Sequence, residues 1–198
     1  MCGIKKSLAA ALVLASVSGS AMAIDVGQFY VAADVGQAKA KDGCSGLPAG
    51  FSCNTNSTGI RLGGGYQITN QLSAELNYAD LGTYTINGTL AGLPFTSPNT
   101  IKSLQGALVA NLPITDSFAL TGKLGFASTK VNASASIPGA AVSISATSTT
   151  PVLGVGMLYS VNKSLAFRAQ YEDFGTVGDV YTGTSKLTLL SVGAVAGF

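Results

Sequence analysis

Residues 72–81 read LSAELNYADL, and successive side chains in this stretch alternate between two chemical kinds. Leu72, Ala74, Leu76 and Tyr78 are apolar or aromatic, whereas serine, glutamate and asparagine stand between them. A β-strand points successive side chains to opposite faces, so the alternation predicts a strand with one apolar and one polar face.

The same alternation recurs along the chain in segments of about ten residues, which is the pattern of transmembrane β-barrels. Eight strands are predicted, at residues 29–38, 59–67, 72–81, 101–112, 118–130, 152–160, 165–174 and 186–198. Three short turns, at residues 68–71, 113–117 and 161–164, alternate with four longer polar segments, at residues 39–58, 82–100, 131–151 and 175–185. The sequence therefore predicts an all-β fold, an eight-stranded antiparallel up-and-down transmembrane β-barrel with short periplasmic turns and four longer extracellular loops.

The composition agrees with a membrane protein, because 47% of the 198 residues are hydrophobic and 10% are charged. Soluble domains usually carry about 25% charged residues. Disorder requires low hydrophobicity with high charge, and nucleic-acid binding requires a basic surface, so both classes are excluded. Beyond the N-terminus no segment approaches the roughly 18 consecutive apolar residues of a spanning helix, which leaves strands to cross the bilayer.

Splitting each predicted strand by parity gives two sets of side chains. One set is apolar and uncharged, as at Leu104, Leu108 and Leu112. The other set carries Asp34, Arg61, Glu75, Lys123, Arg168 and Glu172, together with Gln105, Asn111, Thr121 and Gln170. A soluble barrel around an apolar cavity would turn the polar set outward, but the chain has too few charges for an exterior in water. The six charges, three of each sign, are therefore predicted to fill a neutral interior, which an eight-stranded barrel is narrow enough to allow.

Aromatic residues group near both ends of the predicted strands. Tyr66, Phe118, Tyr159 and Phe198 lie at the short-turn end, and Tyr78, Phe126, Tyr171 and Phe174 lie at the long-loop end. Two such groups predict aromatic girdles at the two membrane interfaces.

Residues 1–23 have the pattern of a cleaved signal peptide. Lys5 and Lys6 precede the apolar residues 8–17, and the small-residue site Ala-Met-Ala ends at Ala23. Removing them leaves 9 of the 11 basic residues, equal to the 9 acidic ones, and a barrel domain at residues 24–198. In this exported domain Cys44 and Cys53 are predicted to form a disulfide that closes a loop.

The chain contains no histidine. Ser-His-Asp hydrolysis and zinc-histidine sites are therefore excluded, and no other pair of nucleophile and base is recognisable. We expect no enzymatic activity, no cofactor and no metal site.

Two short patterns sit at equivalent places 93 residues apart: residues 78–83 read YADLGT and residues 171–176 read YEDFGT. They reflect either duplication of a four-strand unit or the same local requirement at the upper end of two strands. The last predicted strand, KLTLLSVGAVAGF, ends on Phe198. With the eight alternating segments, these features make residues 24–198 similar to the small OmpA-like outer-membrane β-barrel family.

The resemblance implies a location in the cell outer membrane, among its lipids and lipopolysaccharide. It also implies that periplasmic chaperones and the barrel assembly machinery handle the chain, with Phe198 as the assembly signal. Relatives have a salt-bridged interior, and by analogy we place Glu75 with Arg168 near the lower end. Asp34 and Glu172 then pair with Arg61 and Lys123 higher up. We expect no peptidoglycan-binding domain after the barrel, and hence no anchoring to the cell wall.

Three functions remain open from the sequence. The first is a non-enzymatic surface protein that supports envelope integrity, with adhesion or host contact through loops that bind an extracellular ligand. The second is a narrow porin-like channel for small solutes lined by the interior charges. The third is an enzyme such as a lipid A acyltransferase, for which the sequence offers no catalytic residues.

Overall fold

The computed structural model describes residues 24–41, 50–90, 92–137, 139–179 and 182–198. These residues form nine strands: β1 Phe29–Lys41, β2 Ser52–Cys53, β3 Asn56–Thr69, β4 Leu72–Leu90, β5 Leu93–Pro113, β6 Phe118–Ile137, β7 Ala140–Asn162, β8 Leu165–Asp179 and β9 Gly183–Gly197. No helix in the described ranges is long and apolar enough to cross a membrane. The predicted signal, residues 1–23, and Cys44 lie outside the described residues.

Eight of these strands close into a ring. The order is β4, β3, β1, β9, β8, β7, β6 and β5, and the pairing of β5 with β4 completes the circle. Every pairing is antiparallel, and the two-residue strand β2 adds to the upper part of β4. The predicted eight-stranded antiparallel barrel is confirmed.

Short turns join the strands at one end of the barrel, and side-chain acceptors stabilise them. The Thr69 hydroxyl accepts hydrogen bonds from the backbone N–H groups of Gln71 and Leu72. Asn162 Oδ1 accepts one from the backbone N–H of Ser164 at 2.9 Å. Such local acceptors replace ladder bonds where the chain reverses, which is why threonine and asparagine suit these turns.

At the other end, three of the four longer connections are paired strands over most of their length, so the predicted ends of these strands are wrong. Strands β4 and β5 continue to Leu90 and Leu93, β6 and β7 to Ile137 and Ala140, and β8 and β9 to Asp179 and Gly183. These extensions lie beyond the bilayer, where the outer face no longer has to be apolar, so the alternation fades while backbone pairing continues. Glycines with positive φ, 81° at Gly92 and 88° at Gly139, stand at two of the hairpin tips.

The two repeated patterns coincide with β-bulges. The pairing register shifts between Asp80 and Thr83 and again between Asp173 and Thr176. In each pattern the aspartate Oδ1 accepts a hydrogen bond from the backbone N–H two residues on, at 3.0 Å for Gly82 and 2.9 Å for Gly175. Both glycines have positive φ, 81° and 71°. The shared pattern therefore serves the same local bend in two strands, and it does not start a loop.

The lipid-facing and interior sets lie as the parity of the strands predicts. Leu76, Leu108, Leu124 and Val155 are among the apolar side chains exposed on the outer surface, whereas the predicted polar set is buried inside. The lower aromatic girdle comprises Tyr66, Phe118, Tyr159 and Phe198, and the upper girdle comprises Tyr78, Phe126 and Tyr171. The placement of Phe174 in the upper girdle is wrong: its side chain is fully buried inside the barrel, because it has the same parity as Glu172.

The bore is filled in layers. Near the short turns a small apolar cluster includes Ile24, Tyr30 and Val195. The charged residues lie above it, and above them comes a larger apolar cluster. We call this the upper apolar layer: Ala38, Ala40, Ala79, Leu81, Tyr84, Ile101, Ala127, Val131, Val152, Phe174, Val177, Leu187 and Leu189. Sequence parity did not predict this layer, since it had assigned the interior mainly to polar groups.

Candidate functional site

The six charged residues predicted for the interior all lie inside the bore, and none is more than 6% exposed. Four strands contribute one residue each: Asp34 on β1, Arg61 on β3, Glu75 on β4 and Lys123 on β6. Strand β8 contributes two, Arg168 and Glu172, which are four residues apart and therefore share a face. The barrel thus gathers charges that are up to 138 positions apart in the numbering into one site.

Asp34 joins the two arginines. Arg168 donates two hydrogen bonds to the Asp34 carboxylate, from Nε to Oδ1 and from Nη2 to Oδ2, both at 2.7 Å. Arg61 Nε donates to Oδ2 of the same carboxylate at 2.9 Å. Arg61 Nη1 continues to Glu172, and Arg168 Nη1 continues to Glu75 Oε1 at 2.7 Å.

Lys123 closes the circle on the other side. Its Nζ lies 2.9 Å from Glu75 Oε2 and 2.9 Å from Glu172 Oε1, and so forms close ion pairs with both carboxylates. The six groups form a closed alternating ring, in which every cation contacts two anions and every anion contacts two cations. We call it the charge ring. The two separate groups expected from the sequence are joined into one by the contacts of Asp34 with Arg168 and of Lys123 with Glu75.

Polar neighbours complete the ring, and the sequence reasoning had assigned no role to three of them. The Tyr30 hydroxyl lies 2.9 Å from Ser73 Oγ and 3.1 Å from Glu75 Oε1. Asn77 Nδ2 donates to Glu75 Oε2 at 3.1 Å. Ser73 and Asn77 stand two residues either side of Glu75, so their inward parity was the signal available in the sequence.

Two glutamines support the opposite side of the ring. Gln170 Oε1 accepts a hydrogen bond from Arg61 Nη2 at 2.6 Å. Gln105 Nε2 lies 3.5 Å from Glu172 Oε1. Each buried charge thus has several partners, which is the condition for keeping ionised groups away from water.

Glycines in the barrel wall make room for these side chains. A Cβ on Gly193, which pairs with Asp34 in one direction and Arg168 in the other, would collide with the Asp34 carboxylate. A Cβ on Gly63 would collide with Asn77, and one on Gly65 with the ring of Tyr30. The glycine run at residues 63–65 therefore serves close packing.

Little open volume remains around the ring. On the short-turn side, the cavity bordered by Tyr30, Glu75 and Arg168 holds about 30 Å³, room for about one water. On the other side, Leu81, Phe174, Leu187 and Leu189 of the upper apolar layer are almost completely buried. An ion would have to displace the side chains of the charge ring and of the upper apolar layer to pass through the bore.

The remaining predicted residues lie away from the ring. Cys53 ends β2 and is disulfide-bonded, but its predicted partner Cys44 lies outside the described residues, so that pairing stays a prediction. Phe198 is 74% exposed in the lower girdle. Its backbone N–H donates to the Phe29 carbonyl at 3.0 Å, which ties the end of the chain to the first strand.

A closed strand ring with an apolar exterior and a charge-filled bore defines the class of small transmembrane β-barrels. The model of the OmpA-like transmembrane domain family matches residues 25–198, and the chain belongs to this family. The protein is an outer-membrane β-barrel protein and is located in the outer membrane.

Two curated relatives are outer membrane protein A from Shigella flexneri and from Salmonella typhi. The first is 27% identical over 183 residues, covering 90% of this chain and 50% of the relative. The second is 30% identical over 146 residues, covering 70% of this chain and 39% of the relative. The chain thus spans half the length or less of these relatives.

Solved structures share the fold at low sequence identity. Ail, the attachment invasion locus protein of Yersinia pestis, matches with a TM-score of 0.59 and 18% identity, covering 87% of this chain and 99% of Ail. The outer membrane protein OprG from Pseudomonas aeruginosa matches with a TM-score of 0.54 and 13% identity, covering 88% of this chain and 97% of OprG. Another structure of Ail contains the heparin analogue sucrose octasulfate.

Proposed function

We propose that this protein is a non-enzymatic, non-conducting barrel that supports the integrity of the outer membrane and presents hairpins at the cell surface. The observation that carries the proposal is the charge ring, whose six groups neutralise one another across the bore. A channel would need charges that face water and exchange partners with ions. Here each charge is buried against two opposite charges, and an apolar layer lies above them.

Planar-bilayer recording of the purified barrel tests this proposal. We expect no stable conductance steps. Steady conductance that is abolished by Arg61→Met or Lys123→Met would overturn the proposal in favour of the alternative, a narrow porin-like channel. Heat-dependent gel mobility of each variant shows whether the barrel is intact before recording.

Lipopolysaccharide is the proposed partner on the outer surface of the barrel. Five exposed lysines project outward beyond the upper girdle: Lys39, Lys41, Lys102, Lys130 and Lys186. Lys41 faces Lys186 across one strand pair, and Lys102 faces Lys130 across another. Like charges directly opposite each other destabilise a sheet, so these pairs favour a bound anion between them. The phosphates of lipopolysaccharide lie at this level of the outer leaflet.

Acidic side chains neutralise only part of this cationic surface. Lys102 Nζ lies 3.7 Å from Asp80, and Lys186 Nζ lies 3.0 Å from Asp173. With the described residues, Lys39, Lys41 and Lys130 form no ion pair. We call these five lysines the lysine belt, and its uncompensated charge supports the assignment of an anionic lipid partner.

Assembly by periplasmic chaperones and the barrel assembly machinery is part of the proposal. Phe198 supports it, since its aromatic side chain remains exposed on the lipid side while its backbone closes the ring against Phe29. Adhesion through the extracellular hairpins is the further role proposed from the likeness to Ail. The hairpins present serine and threonine side chains, among them Ser134, Ser143 and Ser136 on β6 and β7.

A further inference from the structure

We propose that the extracellular mouth of the barrel is a binding site for a small neutral molecule with an apolar body and a hydrogen-bond acceptor. The site is a cavity of about 420 Å³ above the upper apolar layer. This volume lies within the range of about 300 to 1,000 Å³ that is typical of small-molecule sites. We call it the mouth cavity.

The floor of the mouth cavity is apolar. Ile101, Val131 and Val177 reach it from three different strands, and all three are buried. Tyr84 also lines it from β4, six residues beyond Tyr78 of the upper girdle and therefore outside the membrane-spanning part of the strand. A ligand would bury its apolar part against these side chains.

Tyr84 supplies the observation that points to a ligand. Its side chain is 5% exposed, yet its hydroxyl has no hydrogen-bond partner among the residues that the structure describes. Buried hydroxyls nearly always have a partner, so an unpaired one that lines a cavity calls for an acceptor from outside. Burial raises the pKa of Tyr84, which keeps the phenol protonated and able to donate.

The rim of the mouth cavity is polar but carries no charge among its described residues. Asn54, Asn99 and Ser185 are examples of its lining. A charged ligand would find no counter-ion here, whereas amide and hydroxyl groups can bind a neutral polar end. The chemistry of the lining thus selects neutral molecules.

Hydrogen bonds fix two segments that line the mouth cavity, the residues around β2 and the start of β9. On one side, Asn54 N–H donates to the Thr85 carbonyl at 3.1 Å and Ala40 N–H donates to the Thr55 carbonyl at 2.9 Å. On the other side, the Ser185 hydroxyl donates to the Lys41 carbonyl. These bonds anchor the segment around β2 and the start of β9 to β1 and β4, which makes the cavity a defined site.

Binding is tested by methyl NMR of the barrel in lipid nanodiscs, with coumarin as the probe. Coumarin is neutral, mostly apolar and carries a carbonyl acceptor. We expect saturable shifts of the Ile101, Val131 and Val177 methyl groups. Methyl groups that face lipid, such as those of Leu108 and Leu124, should stay unchanged.

Removal of one hydroxyl group identifies the role of Tyr84. Tyr84→Phe should weaken coumarin binding about three- to tenfold, the effect of losing one neutral hydrogen bond. Tyr78→Phe, which removes an exposed hydroxyl from the outer face of the same strand, is the matched control and should leave binding unchanged. Transfer of magnetisation from coumarin to the Val131 and Val177 methyls in the unmodified protein tests the location without any variant.

Three results would overturn the inference. The first is the absence of saturable shifts, which would mean that the mouth cavity holds only water. The second is equal shifts of the lipid-facing methyls, which would report partition into the bilayer. The third is unchanged affinity in Tyr84→Phe.

Discussion

Arg168 and Glu75 meet across the full width of the barrel, with Nη1 of the arginine 2.7 Å from Oε1 of the glutamate. Their strands, β8 and β4, are four places apart in the ring in either direction and so lie opposite each other. The two residues are also separated by 93 positions in the chain, the offset that relates the patterns at 78–83 and 171–176. Equivalent positions in the two halves of the chain therefore carry opposite charges that pair in the bore.

This pairing predicts strong coupling between the two residues. Arg168→Met should destabilise the barrel by about 3 to 5 kcal/mol, because it leaves carboxylates buried without their partner. Adding Glu75→Gln should cost less than the sum of the two single changes, with a coupling of about 0.5 to 3 kcal/mol. Reversible urea unfolding from lipid vesicles measures these free energies.

Lys163→Met provides the control, since Lys163 is an exposed cation in a short turn and should change stability by no more than about 0.5 kcal/mol. Purely additive losses in the double variant would remove the proposed energetic link between Arg168 and Glu75.

Alanine substitutions of the two bulge glycines should destabilise the barrel to different extents. Gly175→Ala should cost about 1 to 2 kcal/mol, because alanine is strained at positive φ. Gly82→Ala should cost more, since its Cβ would also collide with Ser57 and Thr58. Gly106→Ala is the control: no atom lies within 4 Å of its added Cβ. Equal stability of all three variants would contradict a special role for the bulges.

The lysine belt predicts specific loss of affinity for lipopolysaccharide. Lys41→Gln combined with Lys130→Gln should weaken binding by about 1 kcal/mol per lysine, or about fivefold each. Binding is measured by the shift in thermal unfolding of the barrel as lipopolysaccharide is added to phospholipid vesicles.

Lys163→Gln at the opposite membrane surface serves as the matched control for charge. Dephosphorylated lipopolysaccharide should bind the unmodified protein as weakly as intact lipopolysaccharide binds the double variant. Undiminished binding by the double variant would exclude the lysine belt as the site.

The pairing of Cys44 with Cys53 predicts the behaviour of single-cysteine variants. In the oxidised protein both thiols should resist alkylation, and Cys44→Ser should make Cys53 reactive. On the chain-entropy model, closing so short a loop stabilises the folded state by about 2 to 3 kcal/mol. Mass spectrometry after alkylation identifies the reactive residue, and an unreactive Cys53 in Cys44→Ser would assign its disulfide to another partner.

Replacement of Phe198 tests the assembly role. Phe198→Ala should lower the amount of folded barrel in the outer membrane of growing cells while leaving refolding of the pure protein into vesicles nearly unchanged. Phe118→Ala, in the same lower girdle, is the control. Parallel losses in cells and in vesicles would indicate that Phe198 contributes only to stability.

Much of the barrel could be predicted because the bilayer imposes a strict pattern. Lipid requires apolar side chains at every second position, which placed residues such as Leu76 outside and Glu75 inside. The pattern stops where the lipid stops. Beyond the girdles the extensions of β4 to β9 could not be recognised, because both faces of those hairpins tolerate serine, threonine and small apolar residues.

The residue types inside the barrel could be predicted, but their ion-pair partners could not. Parity assigned all six charges to the bore, whereas the choice of partners depends on the stagger between strands, which the sequence alone does not define. Phe174 shows the same limit, since an aromatic residue near a strand end fits a girdle or an interior layer equally well. The mouth cavity is lined by residues of seven strands, β1, β2, β4, β5, β6, β8 and β9, and has no local signal in the sequence.

The alternating contacts of the charge ring also bear on how the barrel wall resists opening. Each link joins residues from different strands. Two of them, Asp34 with Arg168 and Arg61 with Glu172, connect β1 and β3 to β8 and so span the seam where β1 meets β9. Separation of β1 from β9 would leave unpaired charges facing lipid, which solvates them poorly. The ring therefore holds together, from inside, the junction between the two strands of the barrel that are farthest apart in the sequence.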